Sequence, residues 1–91
     1  MRGKGAEAQK NPHPRAAFLE VVDNQLRDNN PPDTKETLKR LMAEGHSAED
    51  AKDLIAQGVA VEAYMVMKTK TAFNRERFER NLTTLPEEAK E

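Results

Sequence analysis

The sequence predicts an all-α fold: a small helical bundle of three main helices plus a short C-terminal helix. Three observations predict it. Apolar residues recur at spacings of three and four rather than alternating. Strand-favouring residues are few, with aromatics at only 4% of the chain. Helix stops and starts punctuate the chain at Asn30-Pro31-Pro32, at Gly45-His46-Ser47 and at Asn74.

The first helix opens at "NPHPRAAFLEVVDNQLRDNN", where Asn11 can cap and Pro12 can occupy a first-turn position whose N–H is dispensable. Phe18, Leu19, Val22 and Leu26 then share one side. Asn29 or Asn30 ends the helix in a left-handed turn, and Pro31 disfavours helical backbone before it. The second helix begins at or just after "NPPD" and runs to Glu44. Leu38, Leu41 and Met42 form its apolar stripe, and Lys35, Glu36, Lys39 and Arg40 face water. Gly45 is its stop, since glycine adopts left-handed backbone without steric cost.

Ser47 caps the third helix, with Asp50 in the capping-box position. The helical pattern continues to about Thr69 through Gly58, which costs ~1 kcal/mol relative to alanine and can let another helix approach closely. Asn74 caps the fourth, over about 75–83, with Phe73 and Phe78 spaced as a hydrophobic staple and Leu82 and Leu85 extending its apolar side. One domain over 11–85 is expected, between an N-terminal tail, 1–10, and a C-terminal tail, 86–91, which lack large apolar residues.

Composition excludes more than it proposes. Net charge is −1, so nothing attracts the whole chain to nucleic acid or an acidic membrane. There is no cysteine for a disulfide or a thiol nucleophile. No apolar run approaches the ~20 residues of a membrane span, and a cytoplasmic location is expected. The single serine, Ser47, is better explained as a cap, and no Gly-rich phosphate loop or catalytic spacing is present. No enzyme and no cofactor are expected.

The stretch "LMAEGHSAEDAKDLI" could open a helix-turn-helix, but DNA recognition is not expected of it. A reader helix needs a second turn and polar side chains for base edges. Here "GVAVEAYMVMK" follows, whose only charge before the lysine is the acidic Glu62, and the capped helix would present Glu49, Asp50 and Asp53 to phosphates. The residues from Ala56 to Met67 are apolar around most of the circumference, and a helix apolar all round must be buried all round. Three short, charged neighbours cover about half of that girth, so a homodimer is expected, with Gly58, Val61, Tyr64 and Met65 at its interface. A second reading is an anion or nucleic-acid binder built on the basic region 68–80, with Lys68, Lys70, Arg75 and Arg77 beside the helix start at Asn74.

Residues 11–55 resemble a family of short bacterial helical proteins of unknown function. Its pattern runs Asn-Pro, a His-x-x-x-His pair, an acidic residue, Gln-Leu, a Pro-Pro turn, a helix and a glycine, then a second His-x-x-x-His pair. Asn11-Pro12, Asp23, Gln25-Leu26, Pro31-Pro32 and Gly45 stand at matching spacing. By that resemblance, two such pairs and a carboxylate imply a metal site like those of di-metal bundles. This chain departs from the pattern at all four histidines, which are replaced by Arg15, Leu19, Glu49 and Asp53; only Asp23 keeps its place. The leading reading is an ion-pair cluster of Arg15 against Glu49 and Asp53 holding two helices in register. The others are a carboxylate site of Asp23, Glu49 and Asp53 for a hard cation, or merely solvated helix faces. His13 and His46, in a helix entry and a turn, are expected to be exposed.

Overall fold

A computed structural model describes residues 14–87. These residues form a helical bundle in the order α1 (Pro14–Asp28), α2 (Pro32–Ala43), α3 (Ala48–Thr69) and α4 (Arg75–Thr84). No strand occurs among the described residues. The expected cap at Asn11, Pro12, His13 and both tails, except 86 and 87, lie outside them.

Local chemistry sets the boundaries. After α1, Asn29 takes a φ of 53°, the left-handed stop. Pro31 precedes α2 in extended backbone without a side-chain cap, and its carbonyl accepts from the Thr34 N–H at 3.2 Å. The α2 helix ends at Ala43 with Glu44 as cap, and Gly45 turns the chain at a φ of 108°, where any side chain would be strained. His46 is half-buried rather than exposed, since its N–H reaches back to the Leu41 carbonyl at 3.0 Å and draws the turn inward. Ser47 Oγ accepts the Asp50 N–H at 3.0 Å, and Asn74 Oδ1 accepts the Arg77 N–H at 2.9 Å. The Phe73 and Phe78 rings meet edge to face, 5.4 Å between centroids.

The helix α3 is the spine, packing on all three others, while α1 and α4 do not meet. It runs unbroken through Gly58, so the second turn of a helix-turn-helix does not form there. The core joins Val22, Leu41, Ala51, Ile55, Ala56, Val59, Phe78, Leu82 and Leu85, with Phe18, Leu19, Leu26, Leu38 and Leu54 packed around it.

The inner line of α2 is not the expected Leu38–Leu41–Met42. It is Thr34, Thr37 and Leu41, while Met42 is 46% exposed. Residues at i, i+3 and i+7 define that line, and Met42 lies about 100° beyond Leu41. Thr34 can be buried because its hydroxyl donates to Gln25 Oε1 of α1 at 2.8 Å, which satisfies both groups. Arg40, expected in water, is half-buried: it donates to the Leu82 carbonyl at 3.0 Å and to Glu44, tying α2 to the end of α4.

Candidate functional site

Two surfaces of α3 concentrate the chemistry, and they are opposite in character. The inner one, toward α4, holds Glu62, which is 0% exposed. Its carboxylate accepts from Arg77 Nε and Nη2, the latter at 2.9 Å to Oε1, and from the Asn74 N–H at 2.9 Å. Burial pushes the Glu62 carboxyl up. The Arg77 hydrogen bonds, the Asn74 N–H and the Arg77 charge outweigh burial and hold it below the ordinary glutamate value. Gly58 lies one turn before it, and a Cβ there would stand 3.4 Å from Phe78 Cε1. The sequence reading placed Gly58 at an interface between copies; in the structure it is buried with the Phe78 ring of its own α4 against it.

The outer surface is open, with apolar side chains at its middle and polar ones toward both ends. On a 3.6-residue turn, Asp53, Gln57, Ala60, Val61, Tyr64 and Lys68 fall within one stripe. Tyr64 is 50% exposed and neighbouring Met67 74%, while Val61 and Met65 are half-buried. A helix buried all round is thus not achieved within one chain. Where the stripe meets the start of α1, Arg15, Phe18, Asp53, Ala56, Gln57 and Ala60 line a groove of about 450 Å³. Lys68 Nζ lies over the Tyr64 ring, 5.4 Å from its centroid.

The positions singled out by the family resemblance do converge. Arg15, Leu19, Asp23, Glu49 and Asp53 line one depression of about 260 Å³ between α1 and α3, together with Lys52. Arg15 Nη2 donates to both Asp53 oxygens at 2.8 Å, and Lys52 Nζ to Asp23 at 2.9 Å. Hydrogen bonding to Asp53, its charge and that of the more distant Glu49 raise the Arg15 pKa. Glu49 itself is exposed. In the sequence Lys52 is only the lone base in an acidic run, and its pairing to α1 needs tertiary structure to be seen. Of the three residues in the alternative reading as a carboxylate site, Asp23 is paired with Lys52 and Asp53 with Arg15, each across the α1–α3 contact. No group of three or more metal-binding side chains occurs among the described residues.

The basic region 68–80 does not converge either. Arg75 pairs with Glu79 one turn on, Arg77 with the buried Glu62, and Lys70 is the left-handed cap of α3. The Arg77 N–H at the start of α4 is already taken by Asn74. No described helix is long and apolar enough to cross a membrane. Comparison with known proteins finds no matching family model, no similar curated protein and no matching solved structure.

Proposed function

We propose that the protein is a self-associating helical module, a homodimer that acts by binding rather than catalysis, with the outer face of α3 as its interface. One observation carries this reading: beyond Gly58, α3 buries a carboxylate while leaving large apolar side chains in water. Glu62 faces inward, and Tyr64 and Met67 face outward beside the exposed Lys68. A helix on the surface of a monomer places these the other way round.

The energetic incentive is sizeable. A tyrosine buries roughly 150–250 Å² when covered. Half of that, about 100 Å², is still wet at Tyr64, which at about 25 cal/mol per Å² is worth about 2.5 kcal/mol per chain. Two-fold symmetry uses every such contact twice. Anion binding is the weaker reading, because Arg75 and Arg77 are neutralised within the chain.

Light scattering or sedimentation of the purified chain between 1 and about 100 µM tests the proposal, a span that brackets micromolar affinity. A mass of two chains is the expected result. A monomer throughout the range overturns it.

A further inference from the structure

The outer face of α3 carries both a projection and a recess, and resting on the self-association reading, we infer how the two meet. Two copies pair through antiparallel α3 helices about a two-fold axis beside Ala60, each Tyr64 seated in the partner's groove between α1 and α3.

An interface between identical copies must be self-complementary, so one chain has to supply both shapes. Tyr64 is the projection, and the groove with Phe18, Ala56 and Ala60 in its lining is the recess. Arg15, Asp53 and Gln57 stand on its rim. An apolar floor with a polar rim suits a phenol, which needs its ring covered and its hydroxyl partnered. On α3 the groove is centred at Gln57, seven residues before Tyr64. Seven residues are close to two turns, which keeps both on one face. Antiparallel pairing of Tyr64 with the partner's groove puts the midpoint between Ala60 and Val61. Ala60 is the smallest side chain of the stripe, where the two helices need to come closest.

Charge selects the same arrangement independently. The α3 helix begins with Glu49, Asp50 and Asp53 and ends with Lys68, followed by Lys70. With the midpoint beside Ala60, the basic end of each helix lies along the acidic start of the other, Lys68 opposite Asp53. Asp53 already receives Arg15, and a carboxylate has lone pairs for a second cation. Parallel pairing would stack acid on acid and base on base.

The chain has no cysteine, so single cysteines report cleanly. Ala60→Cys is expected to form a disulfide-linked dimer on mild oxidation, since facing Cα atoms at the axis lie within the roughly 4.4–6.8 Å a disulfide spans. A spin label at Asp50→Cys is expected to give a label-to-label distance of about 30 Å, because each label lies about ten residues from the axis at about 1.5 Å per residue. Tyr64→Ala is expected to weaken dimerisation at least tenfold while leaving helicity unchanged, since the side chain is half in water already. Three results overturn this geometry and leave self-association standing. They are a dimer whose spin labels lie under about 20 Å apart, an Ala60→Cys variant that dimerises but fails to link, and an affinity that ignores Tyr64→Ala. A wild-type monomer removes both.

Discussion

Removing the Arg77 guanidinium isolates a carboxylate that has no route to water. In Arg77→Met, Glu62 keeps only the Asn74 N–H as a partner. Breaking a buried pair by deleting one member costs about 3–5 kcal/mol. The structure allows an independent figure, because the carboxyl can escape by taking a proton. Neutralising a glutamate at pH 7, from an unfolded value of about 4.3 and at about 1.36 kcal/mol per pH unit, costs about 3.7 kcal/mol. The two figures agree. They also fix the pH dependence. In the wild type, arginine holds Glu62 below its ordinary value, so its stabilisation is present above the unfolded value and is lost as pH falls through the lower folded one. In Arg77→Met only burial remains as the main influence and the shift reverses, so the destabilisation is largest at pH 7 and shrinks towards about pH 4.5. Urea unfolding followed by far-ultraviolet circular dichroism, at fixed protein concentration and at pH 7 and pH 5, reads both effects. Glu62→Leu combined with Arg77→Met is expected to recover most of that loss, since an apolar pair of similar volume has no desolvation cost and only the Asn74 N–H loses its partner. An Arg77→Met variant within about 1 kcal/mol of wild type at pH 7, or one equally destabilised at both pH values, would refute the account.

Gly58→Ala is expected to raise stability by up to ~1 kcal/mol, because the helix gains propensity and the new Cβ meets Phe78 at 3.4 Å, near ordinary contact. In a domain of this size that is a rise of about 4–8 °C in Tm by calorimetry, whereas Gly58→Leu drives its side chain into the Phe78 ring and lowers Tm. Ser47→Ala removes the acceptor of the Asp50 N–H and is expected to cost about 1 kcal/mol in urea midpoint experiments. Phe78→Ala empties the centre of the α3–α4 contact and is expected to cost about 3–5 kcal/mol, leaving the chain largely unfolded at 37 °C by circular dichroism.

What was legible in the sequence is what neighbours in the chain decide. Ser47, Gly45, Asn74 and the Phe73–Phe78 staple act within one turn, and the structure uses each of them as a cap, a left-handed stop or a ring contact. The burial of Thr34 and Thr37 in place of Met42 was not legible, because it depends on Gln25 lying across from Thr34 on another helix. Glu62 was visible as the one charge in an oily stretch but not as half of a pair. Its partner lies fifteen positions on, in a run of five cations and two other glutamates with no sequence mark to select it. A lone charge inside an otherwise apolar helix is the one usable signal, since its burial demands an opposite charge.

The two ends of α3 solve different problems with the same residue types. At its start, Arg15–Asp53 and Lys52–Asp23 cross to α1 in partly exposed settings, where ion pairs contribute little stability and salt screens them. They join one turn of α1 to one turn of α3, next to the groove that Phe18, Ala56 and Ala60 line. Further along, the pair of Glu62 and Arg77 is out of water, and its loss is costly although its net contribution is modest. That pair commits α4 to one side of α3 and leaves the other side with Tyr64 and Met67 uncovered. Had stability of the single chain been the whole requirement, exchanging these two sets would serve better, with oil inside and charge outside. The opposite arrangement is what an interface needs: a rigid helix, held from behind, whose apolar side is presented outward.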